Sequence, residues 1–476
     1  MGRRYDLVIL GMGSGGMVAA EFAAGLGLSV AVVERSRVGG DCLWTGCVPS
    51  KALLASAKVA HHLRTAERWG LPALPAPEID TALVWKRIRA VQESIATTDD
   101  DPERFRRLGV DLVFGHGRLV GPHAVEVAGR LLRTRFVLLC TGSRPVVPPV
   151  PGLAEAGFLT SENVFEIERA PARLAAIGGG PISIELAQAF TRLGVRVTVL
   201  QRDPGILPRD EPELVALLTR RLLDEGVDLR LEVAVERVRV EGGTKVVEGT
   251  EGGRPARWEV DELLVGVGRR PNVDDLGLEE VGVRVGRRGV DVDDRMRSSV
   301  PSVYAAGDVA GRYLFTHSAA HEALRAVRDM FFPGRGRVSD LVPWCTFTDP
   351  ELAHAGLTEA EAREVHGDGV HVRRVDLDHS DRARADGDAE GRALAVCDAK
   401  GRLLGAHILA PNAGEMIHEL ALLIKDGRRL SDLSSLIHVY PTLSTSLGQL
   451  AAEATFESAQ RLRWVTRLAR LWPAGR

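Results

Sequence analysis

The 476-residue chain is poor in cysteine and nearly devoid of lysine. Its five cysteines, at 42, 47, 140, 345 and 397, form an odd and sparse set. That excludes the disulfide scaffold on which small secreted domains depend. Lysine supplies six of the 61 basic residues and arginine the rest, a skew read as composition bias, not function. No stretch of apolar residues is long enough to span a membrane. Little separates Met1 from the apolar strand Leu7–Leu10, which leaves no room for a signal peptide, and the Arg3–Arg4 pair has no long apolar stretch behind it. A cytoplasmic protein is therefore expected. Strong charge is missing as well: a net charge of −3 gives no bulk attraction to nucleic acid.

What is present is ordinary globular composition, with 45% hydrophobic and 26% charged residues. The length suggests about two to four domains. A strand followed by glycines occurs twice. Tyr5-Asp-Leu-Val-Ile-Leu10 runs into Gly11-Met-Gly13-Ser-Gly-Gly16, and Leu174-Ala-Ala-Ile177 runs into Gly178-Gly-Gly180-Pro-Ile-Ser183. A small-residue helical stretch and a β-rich segment follow each, so two βαβ units are predicted. A second echo pairs Phe136-Val-Leu-Leu-Cys-Thr-Gly-Ser-Arg-Pro145 with Leu263-Leu-Val-Gly-Val-Gly-Arg-Arg-Pro271. A duplicated nucleotide-binding domain accounts for both echoes. The turn-rich stretch 145–152 reads as a domain crossing. The expected division is a first dinucleotide domain over 1–150 and 277–340, a second over 151–276, and a C-terminal α+β domain over 341–476. The fold class is α/β with two Rossmann-like domains.

Chemistry enters with the glycines. Gly11 suits the tight turn, Gly13 lets a pyrophosphate approach bare backbone, and Gly16 allows close helix packing. The anion would sit at the helix N-terminus. Glu34, 23 positions after Gly11, ends the next strand where a carboxylate can bind ribose. In the second motif Ser183 takes the third glycine's place, and the position equivalent to Glu34 is Gln201, followed by Arg202. A missing carboxylate and a nearby arginine favour NADPH over NADH. The alternative is a neutral Gln201 on the ribose with Arg202 in solvent, which leaves NADH possible.

Between the motifs lies Gly39-Gly-Asp-Cys42-Leu-Trp-Thr-Gly-Cys47-Val-Pro-Ser-Lys51. Pro49 suits a first helical turn, so Cys47 is predicted at a helix N-terminus, where the dipole favours the thiolate. Five residues of regular helix rise about 7.5 Å, beyond the roughly 5.5–6 Å between the Cα atoms of a relaxed disulfide. A Cys42–Cys47 bridge thus requires an irregular approach to the helix. Such a local, constrained bridge suits a redox-cycling disulfide. The bland alternatives are two free core cysteines or half a metal site, and no second pair exists to complete a zinc site. No metal ligand set is assigned.

The Gly39–Lys51 block resembles the signature of the flavoprotein disulfide reductases, the family of glutathione reductase, dihydrolipoyl dehydrogenase and mercuric reductase. The resemblance covers nearly the whole chain. It includes both dinucleotide motifs, Thr141-Gly142-Ser143, Glu185, Tyr304-Ala-Ala-Gly-Asp308 and His438-Val-Tyr-Pro-Thr-Leu-Ser444; Gly268, in the second echo, is a further cofactor-binding candidate. It implies FAD on the first fold, with Asp308 near its ribityl chain, and a nicotinamide cofactor on the second. It also implies electron flow from NAD(P)H through the flavin to the cysteine pair, Cys47 facing the flavin and Cys42 the substrate. Lys51 and Glu185 would form an ion pair, although each read alone is an ordinary helix residue. A homodimer is implied, its C-terminal domain completing the partner's active site.

One departure bears on the substrate. Thiol-reducing members carry a histidine and, five residues on, a glutamate; aligned on Pro441-Thr442, those positions hold Tyr440 and Thr445. Tyrosine titrates near pH 10 and is a poor base at neutral pH. Tyr440 resembles mercuric reductase, where such a tyrosine helps hold a metal ion. That enzyme's vicinal C-terminal cysteines and N-terminal metal-binding domain have no counterpart in this sequence. The expected acceptor is a metal ion such as Hg(II), a quinone or a disulfide. Dihydrolipoyl dehydrogenase activity and a slowly cycling redox sensor are the alternatives. His438 is a candidate replacement base if its segment is strand-like, and His317 and His321 are candidates that structural roles outweigh. Cys140, Cys345 and Cys397 read as inert. The basic amphipathic stretch 456–472 suggests membrane-surface contact, an idea outweighed by packing on its own dimer.

Overall fold

The computed structural model describes residues 4–73, 78–332, 334 and 337–461. The chain divides into two compact units. One comprises the N-terminal residues through His61, Glu78–Pro204 and Asp228–Asp340; the other takes the segment from His62, Gly205–Val227 and the chain from Leu341 on.

In the first unit β1 (Arg4–Leu10), α1 (Ser14–Gly25) and β2 (Val30–Glu34) form the first βαβ turn. β1 pairs in parallel with β2 and with Arg130–Leu139, in register Leu7↔Val30 and Leu7↔Phe136. Asp111–Phe114 extends the sheet beyond β2, Val303–Ala305 also pairs with Arg130–Leu139, and an antiparallel hairpin closes the other side. Leu7, Val8, Ile9 and Val30–Val32 are fully buried. Such continuous apolar strands are what a parallel sheet covered on both faces requires. From β2 the chain enters α2 (Gly40–Trp44) and then α3 (Cys47–Arg64).

A second parallel sheet repeats the plan. β3 (Arg173–Ile177) and β4 (Arg196–Leu200), joined by α4 (Pro181–Arg192), pair in register Leu174↔Val197, with Asp228–Arg230 and Glu262–Val265 outside them. A three-stranded antiparallel sheet, 233–260, follows. The two echoing segments of the sequence turn out to be partners: Ser143–Pro145 pairs antiparallel with Arg269–Pro271.

The second unit carries a five-stranded antiparallel sheet in the order Trp344–Thr346, Glu351–Gly356, Leu403–Ala410, Arg392–Cys397, His371–Asp376. The helices Ala413–Lys425 and Thr445–Arg461 supply Ile417, Leu420, Leu447 and Leu450 to its core. Of the predicted basic stretch, the residues beyond Arg461 lie outside the described residues. No described helix is long and apolar enough to cross a membrane.

Candidate active site

The cysteine pair sits where α2 breaks. α2 ends at Trp44, Thr45 and Gly46 interrupt it, and α3 starts at Cys47. This is the irregular approach the spacing demands. Both cysteines are free thiols, and they hydrogen-bond to one another. The two thiols are not equivalent. The hydrogen bond from Cys42, then that from Thr316 and the charge of Lys51, bring the Cys47 thiol down to about 6, against burial and the charge of Glu185. Cys42 moves the other way: donating to Cys47, burial and the Cys47 charge push its thiol far above the usual range. The proton therefore stays on Cys42 and the thiolate is at Cys47, the form that reacts.

Thr316 opens the helix Thr316–Phe331, and its Oγ1 lies 3.3 Å from Cys47 Sγ. Sequence reasoning missed it. It stands 269 positions from Cys47, and no local spacing links the two. Lys51, one turn along α3, donates to Glu185 Oε2 of α4 at 2.9 Å. Glu185 is buried, so this ion pair spares it the cost of an unpaired carboxylate.

Two positions of the first glycine turn, Gly11 and Gly16, are closed to side chains. Gly11 has φ +97°, and a Cβ there would fall 2.3 Å from the Cys140 carbonyl oxygen. Gly16 packs on the Gly11 carbonyl, where a Cβ would fall at 2.0 Å. Gly13 caps α1 with no side-chain hydrogen bond and no acid in the first turn, so the amides of that turn are uncapped by side chains. Glu34 closes β2 with its carboxylate, accepting from Met12 N at 2.7 Å and Ser36 N at 2.6 Å. The second fold repeats this: Gly178 has φ +105°, Gly180 caps α4 without a side-chain hydrogen bond, and Gln201 Oε1 accepts from Gly179 N at 2.8 Å. Arg202 is exposed beside it, 3.6 Å from Asp203. An uncapped glycine turn with a polar side chain at the strand end fits a dinucleotide on each fold.

Asp308, just beyond the Val303–Ala305 strand, accepts from Ser143 Oγ in a short hydrogen bond. Burial raises its carboxyl, while Ser143 and Arg269 hold it down. Arg269 gathers this corner together. It donates to Ser143 Oγ at 2.7 Å, to Ser143 O at 3.0 Å, and to Asp41, the neighbour of Cys42. Thr141 and Asn272 exchange hydrogen bonds alongside, at 2.7 and 2.9 Å. Gly142 and Gly268 precede the two paired strands, both at positive φ. The Asp41–Arg269 link also escaped the sequence, although both residues lie within quoted motifs.

In the second unit Tyr440 is exposed and donates to Asp381 Oδ2 at 2.8 Å. That hydrogen bond and the Asp381 charge raise its phenol. His438 is not in a strand, which was the condition for it to serve as a base. Its Nε2 lies 3.0 Å from Glu419 Oε2 on the helix Ala413–Lys425, and its ring lies against Gly448. Thr445 hydrogen-bonds the Thr442 carbonyl at the start of the last helix. His317 stacks on Phe315.

This architecture defines a two-dinucleotide redox protein with a dithiol centre. The model of the pyridine nucleotide-disulphide oxidoreductases matches residues 5–323, and that of their dimerisation domain matches 342–451. The dihydrolipoyl dehydrogenase of Thermus scotoductus is 39% identical over 471 residues, covering 96% of this chain and 98% of that protein. The mercuric reductase of Bacillus cereus is 34% identical over 93% of this chain and 70% of its own length. Among solved structures, the Cu(II) complex of the HOCl-induced flavoprotein disulfide reductase RclA from Escherichia coli superimposes with a TM-score of 0.83. Its identity is 28%, over 95% of this chain and 99% of that one.

The chain belongs to the pyridine nucleotide-disulphide oxidoreductase family. It is an oxidoreductase of a class that depends on FAD and takes electrons from NAD(P)H. Its second match is to the domain through which the family forms homodimers.

Proposed function

We propose that the protein passes electrons from NAD(P)H to an acceptor that needs no histidine base, a soft metal ion or a quinone in preference to a disulfide. The observation that carries this reading is Tyr440. Its hydroxyl is committed to Asp381 and its phenol is raised, so it cannot take a proton from a dithiol at neutral pH.

FAD, when bound, would supply the two-electron link between a nicotinamide cofactor and the Cys42–Cys47 pair. Gly11, Gly13, Gly16, Glu34, Thr141, Gly142, Ser143 and Asp308 would hold it, and Gly178, Gly180, Gln201, Arg202 and Gly268 would serve the nicotinamide cofactor. Cys47 keeps its thiolate through Thr316 and Lys51, and Cys42 retains the proton. Glu185 anchors Lys51 against α3. Cys42 and Cys47 together offer two sulfur ligands to a soft cation. For Hg(II) the balance is NAD(P)H + Hg²⁺ giving NAD(P)⁺ + Hg⁰ + H⁺, and no base is needed. Reducing a disulfide consumes a proton and requires one to be handed over, which a raised phenol also does poorly at neutral pH. The RclA structure is a Cu(II) complex, and Cu(II) is therefore one acceptor to try.

The 39% identical dihydrolipoyl dehydrogenase favours a second reading, oxidation of dihydrolipoamide. Steady-state oxidation of NADPH and NADH with Hg(II), Cu(II), a benzoquinone, lipoamide and glutathione disulfide separates the two. Turnover with a metal ion or quinone at least about 100-fold above that with lipoamide is expected. The reverse ranking would sink the proposal and leave the second reading standing.

A further inference from the structure

The two strand ends that follow the glycine turns are built alike and then diverge. In both, a buried side chain reaches back to the amide after the first glycine: Glu34 to Met12 N at 2.7 Å, Gln201 to Gly179 N at 2.8 Å. The second polar atom makes the difference. Glu34 has another carboxylate oxygen, which accepts from Ser36 N two residues on. Gln201 has an amide nitrogen, a donor only. It turns to the equivalent position, where it donates to Asp203 Oδ2 at 3.1 Å. The charge removed at the strand end by glutamine is thus restored two residues later. The other carboxylate oxygen of Asp203 lies 3.6 Å from Nε of Arg202, whose side chain is 85% exposed. Gln201, Arg202 and Asp203 together carry no net charge.

We infer that Asp203 is a specificity-determining residue for the dinucleotide. It offsets the charge of Arg202 and restrains the preference for a 2′-phosphate that Gln201 and Arg202 alone would create. A phosphate dianion gains from an uncompensated guanidinium and loses from a nearby carboxylate. A ribose hydroxyl can donate to that carboxylate. The enzyme therefore accepts both NADPH and NADH, and Asp203 is the residue that keeps NADH competitive. This rests on the reading that the second glycine turn holds the nicotinamide cofactor.

The test uses the full-length, FAD-loaded enzyme with one quinone acceptor at low salt. It compares kcat/KM for NADPH and NADH, and the dissociation constants of NADP⁺ and NAD⁺ read without turnover by protein fluorescence, in wild type, Asp203→Asn, Arg202→Gln and the double variant. Asparagine keeps an acceptor for Gln201 while removing the charge, and an unchanged flavin content confirms folding. The wild-type ratio is expected within about tenfold of unity. Asp203→Asn should raise the NADPH/NADH ratio about threefold to tenfold, mainly through KM for NADPH. The rise should shrink at about 0.5 M salt and vanish in the Arg202→Gln background. A ratio unchanged or lowered in Asp203→Asn, with both KM values moving together, overturns the inference while leaving the site reading intact. If no variant moves either KM, the cofactor binds elsewhere and the site reading falls as well.

Discussion

Replacing Thr316 by valine removes one hydrogen-bond donor from Cys47 and leaves the side chain's shape nearly unchanged. The hydroxyl lies 3.3 Å from Cys47 Sγ and favours the thiolate. A hydrogen bond to a charged acceptor contributes about 1.5–3 kcal/mol, and one to sulfur belongs at the lower end. One pH unit corresponds to about 1.4 kcal/mol. The Cys47 midpoint, brought down to about 6 in the native centre, should therefore rise by about one pH unit. The assay is the pH dependence of the first alkylation of reduced holoenzyme by iodoacetamide, mapped to Cys47 by mass spectrometry. The thiolate reacts and the thiol does not, so the variant should be several times slower near pH 6.5 and equal to wild type at pH 9. Coincident profiles would refute the argument that Thr316 holds the thiolate.

Lys51→Met should raise the same midpoint, because it removes a charge that lowers the Cys47 thiol and leaves Glu185, which raises it. It should also destabilise the protein by roughly 1–2 kcal/mol, since buried Glu185 loses the Lys51 ion pair; Glu185→Gln in that background should recover part of both losses. A second expectation concerns acid. In the second unit His354, stacked on Trp344, and His407 are buried, and burial lowers them to about 2 and about 4. Both sit below the unfolded value of about 6.5, so the unfolded chain binds more protons and stability present above pH 6.5 is lost as pH falls. Asp210, raised by burial to about 6, works in the opposite sense below that pH. For these three groups together the loss by pH 4.5 is roughly 3 kcal/mol, and urea melts at pH 7.5 and 4.5 read its share of the whole difference. His354→Phe should flatten the difference, and an identical difference in that variant would contradict the assignment.

Local patterns carried most of the fold. Glycine turns with their strand ends, at Gly11 to Glu34 and Gly178 to Gln201, are legible because a strand, a tight turn and a helix leave a short-range signature. Pro49 likewise marked the start of α3, and the spacing of Cys42 and Cys47 demanded the break seen at Thr45–Gly46. Contacts across long stretches of chain left no such trace. Thr316 against Cys47 and Arg269 against Asp41 depend on how distant segments pack, which no periodicity encodes. Asp203 lay in plain view, yet its weight appears only when the Gln201 amide is seen to point at it. His438 belongs with these: no strand carries it, and its ring lies against Glu419 and Gly448, contacts that alternation along the chain does not encode.

We propose that Cys47 is the thiolate facing the flavin, and one titration tests that placement. Purified yellow enzyme is reduced anaerobically with NADPH, and separately with NADH, while the visible spectrum is recorded. A long-wavelength charge-transfer band is predicted that disappears in Cys47→Ser, survives in chemically reduced Cys42→Ser, and fades below about pH 6 as Cys47 takes up its proton. Flavin bleaching with no such band in wild type, or a band that persists in Cys47→Ser, would contradict it.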